Sequence, residues 1–123
     1  MDKEKFLKIK KRFEMNGGII DSSVELDRLL DLLGAEATAI DKNTIIIRYN
    51  KIPSASAVFE EFIHTAQYRN GKITGNNRID MEIEAKRKLI KYQKQYEIPD
   101  NENEATKIHI KQLLKMRKEI QNV

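Results

Sequence analysis

Only one segment of this chain, Thr44-Ile45-Ile46-Ile47-Arg48-Tyr49, is dense in β-branched residues, while most of the rest repeats its apolar side chains at helical spacing. That contrast limits the fold to a small sheet packed against a helical body. Residues 36–40 supply a second strand across the turn Asp41-Lys42-Asn43, which predicts a β-hairpin over 36–40 and 44–49. Before it, residues 3–14 carry Phe6, Ile9 and Phe13 at helical spacing and stop at Asn16-Gly17-Gly18. Asp21-Ser22-Ser23 offers caps for a second helix, which runs through Leu33 and closes at Gly34. After the hairpin, Pro53 and Ser54 open a third helix over 54–69. Asn70 to Asn77 form a glycine- and asparagine-rich loop, and a fourth helix spans 78–96. Pro99 breaks the chain before a last helix, where Asn101 and Glu104 are spaced as a capping box. The expected fold is α+β: a mainly helical domain with a small β-hairpin sheet, in one unit over residues 1–123.

Composition removes several function classes. The chain has no cysteine, which excludes disulfide scaffolds, thiolate metal sites and cysteine nucleophiles. No apolar run approaches the roughly 20 residues that cross a membrane. Met1-Asp2-Lys3-Glu4-Lys5 lacks the apolar stretch of a signal peptide, so the expectation is a cytoplasmic product, exported only as part of a larger effector. The net charge of +4 arises wholly in the second half, largely from Lys86, Arg87, Lys88, Lys91 and Lys94. Such a cluster on residues 86–94 is either a solvated helix face or a surface for nucleic acid or an acidic partner.

Chemistry concentrates on the third helix, in Phe59-Glu60-Glu61-Phe62-Ile63-His64. Zinc-protease helices carry H-E-x-x-H, two histidines one turn apart with a glutamate as general base. Here Glu61 and His64 hold the base and second-ligand positions, and Glu60 stands where the first histidine would be. Glu60 and His64 are four residues apart, so both side chains can reach one ion. Val58, Phe62 and Ala66 define the core face, which sets Glu60, His64 and Gln67 on the flank of the other face.

The fourth helix adds a carboxylate. Ile79, Ile83, Ala85, Leu89, Ile90 and Tyr96 mark its apolar side, and Glu82 falls in the middle, whereas Glu84 points with Lys88 and Lys91 toward the charged side. An interior carboxylate needs a partner. His64, a cation held by both, or a salt bridge to Arg48 or Lys86 would each serve. His109, alone on the last helix, is left outside the site.

With both helices in hand, the chain resembles the gluzincin class of zinc metallopeptidases, which place H-E-x-x-H on one helix and a glutamate ligand, often within E-x-x-A, on the next. Glu82-Ile83-Glu84-Ala85 matches that second element. The strand Thr44–Tyr49 ahead of the motif helix also fits, since zincins set a strand beside the cleft. Residues 58–71 and Met81-Glu82-Ile83-Glu84-Ala85 are similar to zincin-like domains of bacterial and phage proteins, often found at the C-termini of polymorphic toxins. The likeness runs from about Gly17 to the last helix. It implies a zincin-like arrangement of active-site helix and glutamate helix, with Glu60, His64 and Glu82 as metal ligands and Glu61 as the catalytic base. It also implies a protein or peptide substrate and an immunity protein as partner. Zn²⁺ is the ion expected, and the extra carboxylate at Glu60 moves the preference toward Mn²⁺ or Fe²⁺.

Three functions follow as expectations. The first is a metal-dependent hydrolase, a peptidase or toxin-like effector, in which Glu61 takes a proton from activated water and Tyr68 or Arg69 stabilises the oxyanion. The second is a nucleic-acid-targeting toxin domain, suggested by the basic helix and by Glu84-Ala85-Lys86, which mimics a nuclease E-x-K but sits on a helix. The third is an inactive binding module in which Glu60, Glu61 and His64 form a structural network.

Overall fold

The computed structural model describes residues 1–122. In chain order the elements are α1 (Lys3–Met15), β1 (Ile19–Asp21), α2 (Val24–Leu33), β2 (Ala37–Ala39), β3 (Thr44–Ile47), α3 (Ala55–Arg69), α4 (Arg78–Lys91) and α5 (Asp100–Gln121). The class is α+β, with five helices and one small sheet. No helix among the described residues is long and apolar enough to cross a membrane.

The β-branched run forms β3, and it lies in the middle of the sheet rather than at its side. β2 pairs with it antiparallel, Thr38 opposite Ile46, as the hairpin reading requires. The sheet also has a third strand that the sequence pattern does not announce. β1 pairs with β3 in parallel, Ile20 opposite Ile45, and gives the order β1-β3-β2. At three residues, β1 is too short to display an alternation. It is squeezed between the stop of α1 and the cap of α2, and the bond from Ile19 N to Asn43 O, 2.7 Å, anchors its start. Gly17 makes that tight entry feasible at φ +87°, and a side chain on Gly18 would collide with the Phe13 ring 2.4 Å away.

Local capping agrees with the expected helix starts. The Ser23 hydroxyl accepts from Leu26 N at 3.0 Å, and the Ser54 hydroxyl accepts from Ala57 N at 3.3 Å. Two carboxylates from elsewhere reinforce the start of α3. Glu36 accepts from Ser54 N and Glu102 accepts from Ser56 N, each at 2.9 Å. Negative charge at a helix N-terminus satisfies donors that lack intrahelical partners and complements the helix dipole.

Two boundaries differ from expectation. α4 ends at Lys91, five residues short of Tyr96. Residues 92–97 turn instead, with Glu97 at φ +53°, and Gln93 Nε2 donates to Ile98 O at 3.2 Å and to Asp100 at 2.9 Å. The turn tucks Ile98 into the core beside Ala55 and Leu89 and stacks Tyr96 flat on Phe59, with ring centroids 4.4 Å apart. A straight helix would carry both residues away from α3. The capping box at Asn101 and Glu104 does not form. Asp100 already begins α5 after Pro99, Asn101 lies inside the helix, and Glu104 pairs with Lys107 at 3.1 Å.

Packing is organised around α3. On one side Val58 joins Phe6, Ala37, Ala39, Ile45 and Ile47 under the sheet. On the other, Ala55 and Ile63 meet Ala85 and Leu89 of α4. α5 lies against α4. A helix covered from two sides keeps few positions for water, so Glu61, His64, Thr65 and Gln67 are all buried. The flank of α3 that carries His64 and Gln67 is therefore interior.

Ile45 has no exposed surface and Leu32 of α2 is 86% exposed. Truncating Ile45 to alanine should lower unfolding free energy by about 2–5 kcal/mol, and Leu32→Ala should change it by about 0.5 kcal/mol or less, as measured by urea denaturation. Equal losses at the two positions would contradict the assignment of β3 to the sheet centre.

Candidate metal centre

Glu60, Glu61 and His64 project from one length of α3, and each offers a ligand atom within 4.8 Å of the others. α4 runs alongside and brings Glu82 to the same place: its Oε1 lies 3.4 Å from His64 Nε2, while Glu60 Oε2 lies 3.7 Å from that nitrogen on the other side. Glu60 and Glu82 each lie at ion-pair distance from His64, but the group whose ligand atoms all lie within 4.8 Å of one another is Glu60, Glu61 and His64, without Glu82. Glu84, the rival glutamate on α4, turns away to Lys72 at 3.2 Å and Lys88 at 3.3 Å.

The orientation of His64 is fixed from behind. Its Nδ1 lies 2.7 Å from Gln67 Oε1, and Gln67 Nε2 donates to Met81 O at 3.1 Å. Because the amide nitrogen is occupied by that carbonyl, the amide oxygen faces the imidazole and Nδ1 must be the donor. Nε2 then points between Glu60 and Glu82. It is buried and makes no hydrogen bond, because the two carboxylates sit at ion-pair distance outside bonding geometry.

Glu61 is tied to the sheet. Its Oε1 accepts from Ala39 N of β2 at 2.8 Å, an amide on the strand edge that faces away from β3. Burial raises the Glu61 pKa, and the charge of Glu60 adds to this against the opposing charge of His64. The net result is a pKa of about 7. A carboxyl poised there can take and return a proton near neutral pH.

Lys86 closes the cluster. Its ammonium lies 2.7 Å from Glu60 Oε1 and 3.2 Å from Glu82 Oε2, with only 5% of the residue exposed. Each of these glutamates thus directs one oxygen to Lys86 and the other toward His64. Burial works against charging His64, but the adjacent Glu60 and Glu82, aided by Glu61, outweigh it and lift its pKa to about 10. Burial likewise opposes ionisation of Glu82, yet His64 and then Lys86 hold it down at about 2. For Lys86 too, burial favours the neutral amine, and the Glu60 and Glu82 carboxylates raise its pKa above the usual lysine value. Without a metal ion, two positive side chains balance two negative ones, with Glu61 beside them.

The solvated basic face expected over 86–94 is therefore interrupted. Helical spacing puts Ile83, Lys86 and Leu89 on the side of α4 that meets its neighbours, so Lys86 is buried with the core residues, while Arg87 and Lys91 stay exposed. Glu84 and Lys86 pair with different partners, so the E-x-K spacing does not assemble a joint site. Arg48 pairs with Asp31 and Ala35 O rather than with Glu82.

The opening to the cluster is lined by Thr38, Ala39, Glu61, His64, Tyr68, Ile73, Arg78, Met81 and Glu82, and encloses about 30 Å³, room for one ion or water. Tyr68 is there as expected. Arg69 is not: it lines a separate cavity with Phe13 and Asn43. Arg78, at the first position of α4, takes its place at the opening. Sequence spacing starts the helix at Arg78 but does not show it meeting the opening, because that depends on how α4 lies against α3. A larger cavity, about 710 Å³, lies against α1 and the aromatic side of α3 at Phe13, Phe59, Phe62 and Tyr96, and none of the clustered ionisable groups lines it. No family model, curated protein or solved structure matches the chain.

The raised Glu61 pKa has a signed consequence. The folded state holds the Glu61 proton more tightly than the unfolded chain, so this group's contribution to stability is full below pH 4.5 and is lost as pH rises through about 7. Glu61→Gln keeps the acceptor for Ala39 and removes the titration. Its stability should gain on the wild type between those limits, by on the order of 2–3 kcal/mol at about pH 8. Parallel melting-temperature curves for the two proteins across this range would rule the shift out.

Proposed function

We propose that this protein is a zincin-like, metal-dependent hydrolase of peptide bonds, with the ion held by Glu60, His64 and Glu82 and with Glu61 as general base. The observation that carries this reading is His64 Nε2. Buried and without a hydrogen bond, it lies 3.4 Å from Glu82 and 3.7 Å from Glu60, on an imidazole whose other nitrogen is locked by Gln67 and Met81, the fixed orientation that a metal-ligating histidine needs. The two flanking carboxylates complete a nitrogen-and-oxygen donor set that fits Zn²⁺, with Mn²⁺ or Fe²⁺ favoured by the additional oxygen ligand.

A divalent ion in that position supplies a polarised carbonyl and acidified water. The chain's own residues do the rest. To hold the ion, His64 would release its Nε2 proton to solvent and bind as a neutral imidazole. Glu61, held to β2 through one oxygen, takes the proton of the attacking water and returns it to the leaving amine. Tyr68 and Arg78, both at the opening, face the developing negative charge. The resemblance to polymorphic-toxin domains adds the biological side of the proposal: an effector whose substrate is a protein or peptide, neutralised in its producer by an immunity protein.

One observation favours a second reading, an inactive module with a structural network. The ring of Glu60, Lys86, Glu82 and His64 balances its charges with no added ion. The two readings separate on metal content. The hydrolase should purify without chelator carrying about one divalent ion per chain by elemental analysis. His64→Ala should lose the ion. Glu61→Gln should keep it while peptide hydrolysis falls by about 10²-fold or more. Metal-free protein whose melting temperature ignores chelator yet drops in His64→Ala would establish the network instead.

A further inference from the structure

Lys86 is placed by the helix period where a solvent-facing lysine is not expected. It follows Glu82 by four residues on α4, so the two share a face, and that face meets α3 at Glu60. The result is an ammonium within 3.2 Å of both carboxylates that the hydrolase reading assigns to the metal. An ion beside His64 would draw on the other oxygen of each of these two carboxylates, so it and the ammonium share the same two negative charges and repel each other across them.

A second observation shows where the ammonium can go. A cavity of about 230 Å³ is lined by Lys86 itself together with Glu36, Ser54, Ser56, Glu60, Glu102 and Thr106. Glu36 and Glu102 each cap the start of α3 and also present negative charge to this space. A lysine has a flexible four-carbon stem and a compact charge, so rotation of its side chain can carry Nζ from one set of carboxylates to the other without moving the helix.

We propose that Lys86 is an internal counter-ion that joins Glu60 to Glu82 while the site lacks metal, and that a metal enters by displacing it toward Glu36 and Glu102. Lys86 thereby sets the affinity of the site and couples metal entry to a side-chain switch. This inference rests on the metal-site reading above.

Calorimetric titration of the purified full chain with Zn²⁺, and separately with Mn²⁺, tests it. Lys86→Met removes the competing charge and keeps the aliphatic length. It should bind either ion about ten- to a thousandfold more tightly than the wild type, the range a unit charge a few ångströms away exerts between aqueous and protein-surface dielectric. Lys86→Arg retains the charge and should stay within a few-fold of the wild type. Glu102→Gln preserves the acceptor for Ser56 and removes one receiving charge. It should weaken binding in the wild-type background and leave it unchanged in Lys86→Met. If Lys86→Met unfolds without metal, restoration of a cooperative melting transition by Zn²⁺ supports the proposal, and failure to restore it counts against it. Equal affinities in wild type and Lys86→Met overturn the counter-ion role while leaving the metal site standing. Absence of binding in both proteins overturns the metal site as well.

Discussion

The enclosure of α3 governs the rest of this molecule. With the sheet on one side and α4 on the other, the helix has almost no wet surface at its centre, yet its sequence places Glu61, His64 and Gln67 there. Buried polar groups must find partners, and each one here does so in a way that fixes geometry. Gln67 reaches α4 through Met81 O, Glu61 reaches β2 through Ala39 N, and Glu60 reaches α4 through Lys86. The apolar contacts hold the layers together, and the polar contacts set their register. His64 Nε2 is the one buried side-chain polar atom among the described residues left without a hydrogen bond, and it lies at ion-pair distance from Glu60 and Glu82.

The same enclosure explains the divergent protonation of the carboxyls. Glu82 is flanked by His64 and Lys86 and ionises readily, whereas Glu61 has more burial than positive charge around it and holds its proton up to about pH 7. Two glutamates on neighbouring helices thus separate into a fixed anion and a proton carrier, the division of labour that acid–base chemistry requires. It follows from which helix face each residue occupies.

The sequence made the helical body, the β2–β3 hairpin and the cap at Ser54 legible, because each is encoded in local spacing. β1 was not legible, since three residues that owe their strand character to pairing with Ile45 show no period of their own. The early end of α4 was equally hidden: it is decided by Gln93 and Ile98 meeting across a turn, and by the stacking of Tyr96 on Phe59. In the site, Glu60, Glu61 and His64 could be read from one helix, and Glu82 from the wheel of the next. Lys86 belongs to the charged run 86–94, and its spacing also offers it as a salt-bridge partner for Glu82, which the 3.2 Å pair bears out. Charge alone cannot say which lysine in a run faces inward, because that depends on the rotation of α4 against α3.

Glu60 is the residue whose meaning changes most once Lys86 is in view. Considered on α3 alone, a glutamate in the first ligand position looks like the loss of a histidine. Across the helix interface it is half of a matched pair, because a second carboxylate beside Glu82 would be repulsive without a cation, and α4 supplies one four residues on. A neutral imidazole at position 60 would leave Lys86 with Glu82 as its single charged partner and an excess of buried positive charge beside His64. The acidic ligand position and the inward lysine are therefore one electrostatic unit spread over two helices. The chemistry available at His64 is set by that unit as a whole rather than by the three-residue spacing of the motif.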